Sequence, residues 1–308
     1  MSKFIFTLLI LLLISCQQGP SLAIITNQGE DTISIVNLNN EREIKKISSQ
    51  KEPLAVLINP KSNIAYIGNV KSNSISILDL NKKKIIENIS LDFSPLGIAA
   101  DLNFINLYIT SWYENKVYKV DLINKKIKKI IEVENTPSGI VYNKIHDLFI
   151  IANRDKNSIQ LINNDLVIKT IKVGIHPFGV ETWGDFIYVT NVYDDTITEI
   201  NLITFNERTF KVGSHPYNSK RFENMLFVTN TQDASVSVIN LDTITKIKIL
   251  KTSEVPENID IDPVLKKIVV TSWAENEINI FNLNDFMHLK TIKTGKESRS
   301  FGQFIMYK

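Results

Sequence analysis

The sequence predicts an all-β protein: a seven-bladed β-propeller with four antiparallel strands per blade, its ring closed by pairing of the carboxy-terminal strand with the amino-terminal one. Three observations carry that expectation. A short apolar stretch closed by Asn or Ser recurs at Asn27, Asn69, Ser111, Asn153, Asn191, Asn230 and Ser272, with spacings between 38 and 42 residues. Ten residues after each stands Asn or Asp: Asn37, Asp79, Asp121, Asn163, Asn201, Asn240 and Asn282. Six of the 9 prolines, Pro53, Pro95, Pro137, Pro177, Pro216 and Pro256, fall at a single phase of this repeat. A fixed period near forty residues means stacked supersecondary units. Four strands per unit arranged in a ring make a propeller.

Each unit reads the same way. The apolar stretch, as in Phe186–Asn191, is a first strand, and an alternating segment such as Thr32–Val36 or Ser235–Ile239 is a second with the period of two. A polar turn (Asn81–Lys84, Asn124–Lys126) leads to a third strand such as Ile168–Val173. A Pro-led strand completes the set, its proline at the first position, where a missing N–H is tolerated. The chain ends at this Pro phase: Arg299–Tyr307 carries Ser300 in the proline position and aligns Phe301-Gly302 with Phe178-Gly179. That stretch is expected to pair with Leu22–Asn27 and leave no open edge. With the Pro-phase strand innermost, the Asn and Ser ends and the loops before the prolines share one face, called upper. Leu22 then enters at the lower face.

The 308 residues are long enough for a large core, and Lys+Arg 35 against Asp+Glu 33 gives no electrostatic pull toward nucleic acid. The lysine clusters at Lys82–Lys84 and Lys125–Lys129 belong on turns and outer strands, where lysine discourages edge pairing. Cys16 is the single cysteine, which excludes internal disulfides, Cys-based zinc sites, haem attachment through CxxCH and thiol catalysis in the body of the chain. No P-loop, GxGxxG, HExxH or GxSxG motif occurs. Neither a cofactor nor a metal site is implied.

The amino terminus reads as an address. Lys3 precedes the apolar run Phe4–Ile14, whose length suits a signal-peptide core rather than a membrane span. Leu13-Ile14-Ser15-Cys16 resembles the bacterial lipobox, in which cleavage precedes a cysteine that is then lipidated. This divides the chain into a leader at 1–15, a lipidated Cys16 with a short tether at 16–21, and a propeller at 22–308. The resemblance implies a lipid-anchored protein of the bacterial cell envelope, and Gln17 in place of Asp points to the outer membrane. The tether of five residues reaches about 17 Å when extended, so the lower face is expected to lie near the membrane.

Tyr188-Val189-Thr190-Asn191 spells out the motif for which the YVTN-type β-propeller repeat family is known, and the seven units resemble that family over nearly the whole mature chain. The resemblance implies fold strongly and function weakly, since relatives include binding proteins, lactonase-like enzymes and subunits of redox complexes. The residues themselves nominate an upper-face site. Units three and seven share Ser111-Trp112-Tyr113-Glu114-Asn115 and Ser272-Trp273-Ala274-Glu275-Asn276, placing two tryptophans nearly opposite each other. These can stack on a ring-shaped ligand or anchor a protein partner, or equally fill gaps between blades. His176 and His215 precede Pro177 and Pro216 without the further ligands a metal needs. With Arg154, Phe178, Tyr193, Tyr217 and Arg299 they are candidates to line a cup for an anionic or aromatic ligand. The expectation drawn from this is a non-catalytic binding or scaffold module, its protein or small-molecule partner on the face away from the membrane. A lactonase-like or lyase-like enzyme with its site at the channel mouth competes with it, as does an accessory subunit of a redox complex.

Overall fold

The computed structural model describes residues 19–307, so the leader, Cys16 and most of the tether lie outside the described residues. The described chain forms seven antiparallel sheets in a ring, each with four strands in consecutive order except where the two termini meet. All six prolines of the repeat phase open an inner strand, as in Pro137–Asn143 of blade 4, which is followed by Leu148–Asn153, Ser158–Asn163 and Leu166–Lys172. The two middle strands are apolar on both faces because blades stack face to face. Ile150, Ile159 and Leu161 of blade 4 pack on Ile187, Val189 and Ile200 of blade 5. Outer strands face water and alternate, so Ile171 is buried while Lys169, Thr170 and Lys172 are exposed.

The Thr-Asn pair that ends the first strand of a unit has two distinct tasks. The Thr hydroxyl crosses to the next blade: Thr26, Thr110, Thr190, Thr229 and Thr271 donate to the carbonyls of Leu54, Ser138, Tyr217, Glu257 and Arg299, at 2.7 to 3.0 Å. The Asn amide reaches hydroxyls on the neighbouring strand seven residues on. Asn27, Asn69, Asn191 and Asn230 donate to Ser34, Ser76, Thr198 and Ser237 at 2.9 or 3.0 Å. Backbone is engaged as well: Asn69 donates to the Ile67 and Ser74 carbonyls, and the Asn27 and Asn230 oxygens accept the N–H groups of Gly295 and Gly213. Where the anchor shrinks to Ser111 or Ser272, its hydroxyl donates instead to the Glu114 carboxylate at 3.3 Å or the Asn279 amide oxygen at 3.5 Å. The second Asn/Asp set shapes the lower turns. Asn37, Asp79, Asp121, Asn201, Asn240 and Asn282 each accept the N–H two residues on, the Asx-turn pattern. Asn163 instead donates to the Asp147 carbonyl.

The ring closes as predicted, with a detour. Leu22 and Ala23 pair antiparallel with Met306 and Ile305, and Thr26 and Ser300 exchange N–H-to-hydroxyl bonds of 2.9 and 2.7 Å. Between these points Phe301–Gln303 leaves blade 1 and runs parallel to Ala55–Leu57 of blade 2. Gly302 permits this: its φ is +115°, and a Cβ there would lie 2.5 Å from the Val56 carbonyl oxygen. From blade 7, the Asp260 carboxylate accepts the N–H groups of Phe304 and Ile305 at 3.0 and 2.9 Å. Three blades therefore hold the last strand. The polarity also follows the expectation, since Ser21 meets the lower turn at Leu38 and Asn39 while Asn27 lies at the upper hairpin.

Candidate functional site

The upper mouth is built from hairpin tips after the anchors and from loops before the prolines. The residue before each of five prolines adopts a left-handed backbone, Glu52, Thr136, His176, His215 and Val255 having φ between 51° and 58°. A side-chain oxygen from the preceding hairpin holds this turn: His176 N–H donates to Asn157 at 3.0 Å and His215 N–H to Asp195 at 2.8 Å. Both histidines thus occupy a generic position of the repeat, and their rings supply the individuality. His176 stacks on Tyr193 at 4.3 Å, and Tyr193 meets His215 edge-on at 5.7 Å. Burial, then the nearby Arg154 cation, lower the His176 pKa below the usual histidine value.

The structure brings together Trp112, Arg154, Phe178 and Tyr217. The Arg154 guanidinium lies 5.8 Å from the Trp112 ring and 5.7 Å from the Phe178 ring. Phe178 packs on Tyr217 at 4.1 Å and on Phe301 at 5.3 Å. Phe178 and Phe301 are almost wholly buried, so rings fill the space that the sequence suggested as an open cup. Arg299 is equally committed. It forms a two-pronged ion pair with Glu257, at 2.5 and 2.7 Å, and donates to Gln28 at 2.8 Å. Trp273 does not share the surroundings of Trp112: its indole N–H is buried without an acceptor, whereas Trp112 packs on the core shared by blades 2 and 3. Tyr113 and Tyr193 stand out into solvent, at 77 % and 60 % exposed. Tyr113 edges a shallow hollow between blades 2 and 3 together with Lys71, Asp92 and Glu114.

The channel's deeper hollows lie toward the lower face, where the sequence nominated nothing. Two adjoining spaces of about 410 and 500 Å³ share Tyr142, Lys144, Glu181, Thr182, Lys220 and Gln303 as lining. The Lys220 ammonium sits 3.7 Å from Glu181 and 3.5 Å from Asp260. Burial pushes the Glu181 carboxyl above the usual range. Burial works against the charge on Lys220, but the two carboxylates outweigh it and hold the amine protonated. A signal for this triad was present in the sequence: Glu181, Lys220 and Asp260 each stand four residues after the proline of consecutive units, a phase occupied elsewhere by Leu57, Ala99 and Val141. Among the described residues no group of three or more His, Cys, Asp or Glu is placed to hold a metal ion.

Solved structures share the fold at low identity. A functionally unknown protein from Desulfotomaculum acetoxidans superposes with a TM-score of 0.78 at 12% identity, over 91% of this chain and 99% of that one. A streptogramin B lyase gives 0.71 at 16% identity, over 81% and 86%. Kuenenia stuttgartiensis hydrazine synthase gives 0.69 at 15%, over 80% and 87%. No curated protein sequence matches the chain. A YNCE-like beta-propeller profile matches residues 13–304, the repeat phase and the ring agree with it, and the chain belongs to that family.

Proposed function

We propose that the protein is a non-catalytic binding module of the bacterial cell envelope, held by a lipid on Cys16 at the outer membrane, with its upper face presented to a partner. Arg154 carries this reading. Its guanidinium is partly buried between two aromatic faces, and no carboxylate of the described chain lies within ion-pair distance of it. Among the described residues the guanidinium donates one hydrogen bond, of 3.4 Å, to the Thr136 carbonyl. A cation placed this way has lost part of its hydration and gains from an incoming carboxylate or phosphate. Exposed Tyr113 and Tyr193 flank it as rigid aromatic contacts for a protein carrying that acidic group. Capture from an envelope extract, compared between wild type and Arg154→Met, tests the reading. Affinity for the captured partner falls at least ten-fold in the variant, about 1.4 kcal/mol, with thermal unfolding unchanged. Equal capture by both overturns it.

One observation favours a second reading, an enzyme of the lyase-like or lactonase-like kind. A carboxyl raised by burial beside a lysine, inside a cavity, is a general acid in waiting. Turnover of a lactone or cyclic ester that disappears in Glu181→Gln supports this reading. Turnover by neither protein, with partner capture lost in Arg154→Met, supports the binding module.

A further inference from the structure

Exposed large apolar side chains are distributed unevenly between the two faces. Among the described residues, the upper loops carry three of them, Tyr113, Ile175 and Tyr193. The lower turns of blades 3, 4, 5 and 7 expose Leu102, Ile123, Ile145, Trp183, Ile203 and Val264, each between 43% and 74%.

Turn geometry does not demand these residues. Ile123, Ile145, Ile203 and Val264 each donate their N–H to the Asx oxygen two residues earlier. Asn39, Asn81, Asp242 and Asn284 make the same bond at the corresponding place in lower turns of blades 1, 2, 6 and 7. A polar residue therefore satisfies the backbone equally well, and would be the ordinary choice at the tip of a surface turn. The aliphatic side chains are directed at whatever lies below the ring.

The path of the chain identifies that occupant. Ser21 sits on the lower face against Leu38 and Asn39, and the sequence that precedes the described chain carries the apolar run Phe4–Ile14 and Cys16, five residues before Ser21. Charge on the same face is mixed, Lys61, Lys83, Lys125 and Lys144 being accompanied by Asp101, Asp147, Asp185 and Glu223. That balance offers little to an anionic partner and leaves apolar insertion as the drive, the pattern of a protein resting in a membrane interface. We infer that the lower turns of blades 3, 4, 5 and 7 insert into the headgroup region of the bilayer that receives the lipid on Cys16. This rests on the anchored reading above. It makes the second contact that a lipid tether alone lacks, and it turns the hollow around Glu181 and Lys220 toward the lipid.

The three tryptophans are built-in reporters, Trp183 below and Trp112 and Trp273 above. The lipid-anchored protein is reconstituted into phosphatidylethanolamine–phosphatidylglycerol vesicles with brominated acyl chains, and tryptophan quenching is read. Quenching is expected in wild type, absent in Trp183→Phe, and retained in Trp112→Phe and Trp273→Phe. Replacing Ile123, Ile145, Ile203 and Val264 together by Ser reduces it at least two-fold, with unfolding temperature as the check that these exposed sites leave the fold intact. Vesicle-bound protein whose Trp183 is not quenched overturns the inference and leaves the anchor standing; such a result would also point to a protein as the covering partner. Quenching that survives Trp183→Phe overturns it as well. A Cys16→Ser variant that stays equally bound overturns the anchor, and quenching of Trp183 in that variant upholds insertion independently.

Discussion

Arg299 and Glu257 face each other across the seam between blades 7 and 1 with both prongs of the guanidinium engaged, and both side chains are buried or nearly so. A cation read from sequence as a ligand contact is therefore a strap. The Arg299 carbonyl accepts Thr271 from blade 7 while its N–H donates to Thr26 of blade 1.

Breaking that pair leaves an uncompensated buried charge, which costs about 3 kcal/mol or more. Arg299→Met and Glu257→Gln should each lower the free energy of unfolding measured in urea by that amount, and the double variant should recover part of it. Additive losses would show that the two side chains act independently.

Removal of Phe301–Lys308 should destabilise the entire ring, because this segment contacts blades 7, 1 and 2. Gly302→Ala gives a milder version of the same defect, since its Cβ would collide with the Val56 carbonyl. Thermal unfolding of the truncation at the wild-type temperature would sink the idea.

The Thr hydroxyls that bridge blades predict a graded effect. Thr190→Val and Thr229→Val each leave a buried carbonyl of the next blade without its donor, costing about 1 to 3 kcal/mol. Chemical denaturation is the measurement, and losses of a few tenths would mean that water or backbone replaces the hydroxyl.

His176 should titrate below the usual 6.5, neutral at pH 7, as followed by NMR of its ring protons. A lowered histidine pKa means that the folded state binds the proton less tightly than the unfolded chain. Its contribution to stability is then present above about pH 6.5 and is lost as pH falls through the folded value. Arg154→Met removes one cause of the shift and should move the titration upward; an unmoved midpoint would leave burial as the sole cause.

The local period made the architecture legible. Alternation, prolines at one phase and the Asx turns are short-range features, so Asn191 or Pro177 can be placed without knowing what it touches. The roles of the motif were harder to read. That Thr190 bolts onto the next blade and Asn191 caps its own hairpin depends on how blades pack. The change from Asn to Ser at Ser111 and Ser272, which singled out units three and seven, is accompanied by new hairpin bonds of the two hydroxyls, to Glu114 and Asn279. Part of what looked like a functional departure is thus a change of hydrogen-bond partner within the hairpin.

By itself the sequence determined the number of blades, the order of strands, the closure of the ring and the face on which each loop emerges, because all of these follow from periodicity and chain direction. Only the tertiary structure decided which candidates are free. Arg299 and Phe178 are consumed by contacts from other blades, Arg154 keeps a cation without a carboxylate, and Glu181, Lys220 and Asp260 meet around the channel although each is 39 or 40 residues from the next. Charge pairing and burial are properties of neighbours in space, and in a ring of repeats those neighbours lie one whole unit away along the chain.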